Sequence, residues 1–404
     1  MSLILNNKLF VIYFAPFILG AITILGFAPY NLTFLNFLTF STLLYLIFNL
    51  KEKIKSKYRK KKSSRYFFHL GCAFGFGFFL FGNYWISISL THDDMFKGLI
   101  PFAIILIPLF LSIFFGLAIY IVGPLANINI NFILLFSLSF SLLEFLRGNI
   151  LTGFPWNLIS YSWWWFIESV QVLSIIGTYS LSLISITIFC IPFLFFQKKK
   201  LKKNIIFTMI FLTIITFNYF YGLFKINKSE YLFDDRITVK IISPNFSLQD
   251  YYSKSEISQI ERLIKISNPQ KNKKTLFIWP EGIFYESNLE DIIRYQKLFK
   301  KNFSDKHLII LGINNYNNFK ETNEKKYFNS LAVLNNNLDI LSLYNKVYLV
   351  PFGEFLPFEK YLTKIGLKKI TPGYNSFSPG NKRNEIKLDK NFFEKKIIPL
   401  ICYE

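Results

Sequence analysis

A chain of 404 residues that is 52% hydrophobic, with a mean hydropathy of +0.33, is too apolar for an ordinary soluble protein. Its net charge of +21 does not make it a nucleic-acid binder. Much of that charge lies in two short blocks, residues 51–65 and 198–203, each beside an apolar run, where basic residues orient membrane helices. Three cysteines exclude a disulfide framework; Cys72 and Cys190 lie inside apolar spans, which leaves Cys402 as the sole thiol of the polar half.

Apolar runs of about 20 residues, the length that crosses a bilayer, crowd the first half. They predict seven membrane helices, near residues 9–28, 32–50, 66–90, 98–122, 130–147, 168–196 and 205–224. No small-residue cleavage site follows the first run, so it reads as a retained helix. Both basic blocks fall on one side of the membrane in this arrangement, which puts the N-terminus in the cytoplasm and everything after residue 225 outside. Within the spans, Glu144 and Arg147 stand three apart and pair on one helix face; His69 and Asn83 suit hydrogen bonds between helices. Trp163, Trp164 and Trp165 fall at the outer interface, as an aromatic belt or as the floor on which acyl chains approach the site.

After residue 225 the periodicity changes. RITVKIISPN, TLFIWPEG, HLIILGINN, FNSLAVLN, LSLYNKVYLVPFG and KKIIPLICYE read as strands, and residues 253–268 and 288–303 carry apolar residues at helical spacing. Alternating strands and helices, then strands in succession, indicate a layered α/β or α+β domain. The expected domains are therefore 1–225, helical and transmembrane, and 226–404, extracytoplasmic and sheet-based.

Three strand ends hold residues out of keeping with their surroundings. Glu281 follows an apolar strand and a proline. Lys346 interrupts an apolar strand, with Glu354 in the Pro/Gly-bounded loop beyond it. Cys402 sits in PLICYE. Each has a bland reading: a solvated turn acid, a snorkelling lysine, a packed thiol. Together they supply a base, a cation and a nucleophile, the parts of a cysteine acyl-transfer site. Three scattered histidines give no metal-ligand spacing, and no glycine-rich phosphate loop occurs.

These three stretches resemble the Glu-Lys-Cys triad of the nitrilase (carbon–nitrogen hydrolase) superfamily. GFAPY (26–30), residues 75–90 and LLEFLRGNILTGFPWN (142–157) resemble the helical part of the apolipoprotein N-acyltransferase family, and VPFGEFLPF adds to the likeness. The resemblance spans essentially the whole chain. It implies about seven membrane helices followed by a nitrilase-like α-β-β-α sandwich. It also implies a ping-pong transfer of an acyl chain from a membrane phospholipid, through a thioester on Cys402, to the N-terminal amine of a diacylated lipoprotein. Glu281 would be the general base and Lys346 the oxyanion stabiliser, with Glu354, Tyr403 and Glu404 in support. The expected protein is a monomer of the bacterial inner membrane that needs no cofactor, with its catalytic domain on the periplasmic side. Unperturbed cysteine and glutamate differ by about 4 pKa units, or roughly 6 kcal/mol, so burial of Glu281 and proximity of Lys346 to the thiol are expected to close the gap. The family pattern differs in two places. Tyr251 and Tyr252 stand where the family tends to carry a tryptophan, making Tyr252 a candidate substrate contact. The family pattern also continues past CYE, implying a chain cut just after its nucleophile and poorly active as it stands. A membrane-tethered amidase using the same triad on small amides is the alternative; a transporter or scaffold is disfavoured by the few charges within the spans.

Overall fold

The structure, a computed structural model, describes residues 8–55, 64–91, 94–197, 200–229, 236–246, 255–319, 324–365, 376–388, 392, 396–402 and 404. The chain divides into two compact units, Met1–Glu230 and Tyr231–Glu404.

The first unit is helical. After an apolar N-terminal segment containing α1 (Ala15–Thr23) come α2 (Leu35–Lys55), α3 (Ser64–Asn83), α4 (Ile100–Val122), α5 (Ile130–Asn149), α6 (Leu173–Cys190) and α7 (Leu201–Lys228). With their flanking turns, five stretches are long and apolar enough to cross a membrane: Ser64–Thr91, Phe96–Leu125, Ile130–Asn149, Leu173–Phe196 and Leu201–Lys228. The run expected as one span over 168–196 is interrupted. A four-residue helical turn (Ile167–Val170) precedes α6, and α6 breaks at Gly177, whose φ of 75° only glycine adopts freely.

Lipid is as apolar as the side chains it faces, so close packing rather than water exclusion must hold these helices together. The sequence GCAFGFG on α3 provides for it. A Cβ at Gly71 would sit 2.6 Å from the Phe115 carbonyl oxygen on α4, and one at Gly77 2.1 Å from that of Phe17 on α1. The backbones therefore touch where a side chain would hold them apart. Fully buried phenylalanines fill the space around these contacts, with the Phe115 and Phe140 ring centroids 4.3 Å apart.

The second unit is a six-stranded mixed sheet. Its strands are β1 (Thr238–Ile241), β2 (Thr275–Ile278), β3 (Phe284–Asn288), β4 (His307–Phe319), β5 (Glu324–Leu334) and β6 (Ile340–Asn345). The order is β1-β2-β4-β5-β6; β3 joins the far end of β4. Strands β1, β2 and β4 run parallel, and β4, β5 and β6 antiparallel. A two-stranded pair, β7 (Ile386–Lys387) with β8 (Lys396–Ile397), lies apart in the pairing.

Alternation along the strands sorts two cores. Phe277, Ile309, Leu311, Ala332 and Leu334 pack with Ile260, Leu263 and Ile264 of helix α8 (Glu256–Ser267) and Phe299 of α9 (Gln296–Asn302). Leu276, Leu308, Ile310 and Val333 point the other way, onto Tyr344, Ile386, Leu388 and Ile401. Ile401 thus seats the Cys402 turn on the sheet face opposite the helices.

Two expected strands are shorter than their apolar runs. In LSLYNKVYLVPFG the ladder ends at Asn345, because the amides of Val347, Tyr348 and Val350 donate to carboxylates instead of to a strand. In KKIIPLICYE only Lys396 and Ile397 pair as strand, and Pro399 has no amide to donate, so Cys402 lies in a turn and not at a strand end.

Candidate active site

Glu281 is delivered by β2. The Trp279 amide still bonds to Ile310, Pro280 ends the ladder, and Gly282 turns the chain with φ of 79°. A Cβ at Gly312 on the neighbouring β4 would lie 2.9 Å from the Glu281 Cα, so β4 passes directly beneath Glu281. Lys346 is the first residue after β6, and its amide continues the register by donating to Asn329 O at 2.8 Å. The loop beyond it folds back so that Glu354 NH meets Val350 O at 2.8 Å, and Phe377 NH ties the same loop to Glu354 O at 2.8 Å.

The side chains of these three elements form one network. Lys346, 1% exposed, places its Nζ 2.9 Å from both oxygens of Glu354, which is itself buried. A lysine of the snorkelling kind would reach water; this one is held as half of a buried ion pair. Glu354 Oε2 also accepts from the Val350 amide at 2.8 Å. Asn329 Nδ2, from β5, donates to Glu354 Oε1 and to Glu281 Oε1, each at 2.7 Å. Glu281 itself is exposed, so the burial expected of it is absent.

Glu404 performs a separate task. Its carboxylate accepts from the amides of Val347 (2.8 Å), Tyr348 (3.1 Å) and Ile401 (3.1 Å), and from the Tyr344 hydroxyl (3.0 Å). It fastens the Cys402 turn to the backbone just after Lys346. Burial, and then the bond to Glu404, push the Tyr344 hydroxyl up to about 12, so it stays a donor. Arg383 completes the clasp, donating to Glu404 O at 3.0 Å and lying over the Tyr348 ring. Cys402 is exposed and has φ of 58°, the left-handed region that side-chain-bearing residues seldom occupy. Such outliers gather where a side chain must be presented.

Glu281, Lys346 and Glu354 are thus bonded into one cluster, and Cys402 is joined to it through Glu404 and the main chain. Tyr252 and Tyr403 lie outside the described residues. Among the described residues, no group of three or more His, Cys, Asp or Glu side chains could hold a metal ion.

Within the helical unit, Trp163 is half-buried, with its indole NH on Ser185 Oγ at 2.9 Å and its ring stacked on Phe189; Trp165 bonds Thr33 Oγ1 at 2.8 Å. Both are held by hydrogen bonds, although Trp165, at 49%, is exposed much as Trp164 is at 58%. Arg147 and Glu144, both buried and 3.9 Å apart, brace the loop beyond α5: Arg147 donates to the Phe154 and Trp156 carbonyls at 2.8 and 2.7 Å, and Glu144 accepts from the Ile159 amide at 3.1 Å. That brace, with the backbone bonds of Gly153 NH to Ile150 O and Phe154 NH to Arg147 O, helps offset the cost of the left-handed residues Leu151 and Thr152. Asn83 accepts from Asn157 at 2.9 Å, a bond from the end of α3 to the loop beyond α5 and not, as expected, to another helix.

Asn329 escaped sequence reasoning. Its only signal was a pair of polar residues, Asn329 and Ser330, opening an apolar strand.

A profile of the apolipoprotein N-acyltransferase N-terminal domain matches residues 19–191. An apolipoprotein N-acyltransferase of Rickettsia typhi is 32% identical over 394 residues, covering 96% of this chain and 74% of that protein. The chain belongs to the apolipoprotein N-acyltransferase family. Family members from Brucella melitensis and Rhodopseudomonas palustris are each 27% identical over 401 residues, covering 73% and 72% of their own lengths. The apolipoprotein N-acyltransferase profile falls on the helical unit, while these alignments run on through the sheet unit that carries the network around Lys346.

Proposed function

We propose that this protein acylates the N-terminal amine of diacylglyceryl-cysteine lipoproteins in the bacterial inner membrane, with a phospholipid as donor. Glu281 takes the Cys402 proton. The thiolate sulfur attacks the ester carbonyl, the C–S bond forms, the C–O bond breaks, and the proton passes to the departing lysophospholipid oxygen. In the second half-reaction Glu281 removes a proton from the acceptor amine, nitrogen displaces sulfur, and the thiolate recovers its proton. Lys346 stabilises the oxyanion in both halves. Glu354 holds Lys346, and Glu404 holds the Cys402 turn. Cysteine suits this order of events, since a thioester is more reactive than the ester it came from. The α-amine, with an ordinary pKa near 8, is partly neutral at physiological pH.

In this reading the sheet unit is a nitrilase-like α-β-β-α sandwich on the periplasmic side, and the helical unit is a bundle of seven spans. Trp164, the most exposed of the three, meets lipid at the interface. The observation that carries the reading is the bonding of Glu281, beyond β2, with Glu354 and Lys346, beyond β6, into one cluster in a chain of this family. The test is intact-mass spectrometry of detergent-solubilised protein mixed with phospholipid. A hydroxylamine-sensitive gain of one fatty-acyl mass, lost in Cys402→Ser, is the expected result. No adduct, together with cleavage of water-soluble amides, would overturn it in favour of an amidase.

A further inference from the structure

We propose that Asn329 is a positioning residue that decides which oxygen of Glu281 carries the proton during acyl transfer. This rests on the reading of Glu281 as the general base. Asn329 is 7% exposed, and its amide nitrogen lies 2.7 Å from Oε1 of Glu281 and 2.7 Å from Oε1 of Glu354. A carboxamide nitrogen has two hydrogens. Each is given to one carboxylate, so the donor is fully used, and both Oε1 atoms serve as acceptors.

The consequence is chemical. A proton on Glu281 Oε1 would face an N–H of the buried Asn329 amide, donor against donor, and would cost that hydrogen bond. The proton therefore goes to Oε2. It leaves Cys402 Sγ for Oε2 as the thiolate forms, and returns from Oε2 to the lysophospholipid oxygen as the C–O bond breaks. Asn329 also orients the carboxylate, because one oxygen fixed at 2.7 Å leaves only rotation about that bond. The second hydrogen holds Glu354, whose other bonds fix Lys346. One amide thus sets the spacing between the base and the cation.

The charged groups around Asn329 come from two elements: Glu281 beyond β2, and Glu354 with its partner Lys346 in the loop after β6. Across the sheet on β4, its register partner Asn314 is neutral. Replacing Asn329 by aspartate keeps the shape, but an ionised carboxylate there can donate to neither neighbour and repels both. Protonation of the introduced carboxyl restores one donor. Asn329→Asp should therefore behave in the opposite sense to the parent as pH falls, whereas Asn329→Ala, with no donor at any pH, should not.

The experiment follows the rate of thioester formation on Cys402 in the detergent-solubilised protein, from weakly acidic to weakly alkaline pH. Asn329→Asp and Asn329→Ala should each be slowed about 10- to 100-fold at neutral pH, the loss of one charge-assisted hydrogen bond to the base. The parent rate should fall toward acid, and the ratio of Asn329→Asp to parent should rise there. That ratio is read within one preparation, so a reduced folded fraction does not alter its trend. Alkylation of Cys402 by iodoacetamide supplies the same comparison without lipid. If the parent alkylates as described but takes no acyl group, the proposed function fails while the role of Asn329 stands. Parallel pH profiles for the parent, Asn329→Asp and Asn329→Ala would overturn the assignment, as would an Asn329→Asp rate equal to the parent at neutral pH.

Discussion

Replacing Glu404 by alanine isolates what holds Cys402. Its carboxylate receives four donors: the amides of Val347, Tyr348 and Ile401 at 2.8, 3.1 and 3.1 Å, and the Tyr344 hydroxyl at 3.0 Å. A hydrogen bond to a charged group contributes about 1.5–3 kcal/mol net. Glu404 is half-buried, so the freed amides of the turn can rehydrate, and bonds to one carboxylate are not additive. A total of about 3 kcal/mol follows, placed in the link between the Cys402 turn and the Lys346 loop rather than in the sheet. The sheet should therefore survive while the turn loses its register. A displacement of about 1 Å at a reacting atom costs on the order of 100-fold in rate. Single-turnover acylation read by intact mass should fall by about that factor in Glu404→Ala, and by less in Glu404→Gln, which keeps one acceptor oxygen. Acylation of Glu404→Ala at the parental rate would refute the claim that this carboxylate positions Cys402.

Two further outcomes follow from buried groups away from the nucleophile. Arg147→Met should destabilise the helical unit by about 3–5 kcal/mol, because it strands Glu144 and frees the Phe154 and Trp156 carbonyls; a detergent melting curve would read it. His307 is fully buried, accepting from the Ser304 amide and bonding Gln270 O, and its pKa is lowered first by burial. A lowered folded-state value means stability that is present above the unfolded pKa, about 6.5, and lost as pH falls below it. The sheet unit should thus weaken in mild acid, and His307→Gln should flatten that slope in chemical denaturation.

The sequence disclosed what depends on local pattern. Apolar length placed the helices, period-two runs placed β1, β2 and β4, and proline or glycine marked where Glu281 and Glu354 leave their strands. Hidden from it were the features made by competition for backbone donors. VYLVPF has strand composition, yet its amides are claimed by Glu354 and Glu404, and no local signal shows a carboxylate from 57 residues away ending a ladder. The burial of Lys346 was equally hidden, since a lysine in an apolar run reads as an edge or a snorkel until its partner is placed. Asn329 was missed for the same reason: its importance lies in two acceptors, 48 and 25 residues distant.

The charge balance of the cluster leads to a last prediction. Glu281 and Glu354 carry two negative charges and Lys346 one positive charge. Moving the proton from Cys402 to Glu281 changes no total; it transfers a negative charge from the carboxylate to sulfur. In the proposed mechanism Lys346 would favour that transfer, but with Glu354 2.9 Å from its Nζ, much of its field is already offset. Glu354 therefore weakens the cation that would stabilise the thiolate, and what it contributes instead is position, through Lys346, Asn329 and the Val350 amide. Glu354→Gln separates the two effects. Removing the charge unmasks Lys346, so alkylation of Cys402 at fixed pH should speed up. Acylation by phospholipid should slow by about 10-fold or more, because a looser ammonium meets the oxyanion less well. Opposite signs in one variant would identify Glu354 as a holder of geometry. If alkylation and acylation fell together by one factor, Glu354 would instead be sustaining the thiolate, and the division of labour argued for Lys346 and Glu354 would be wrong.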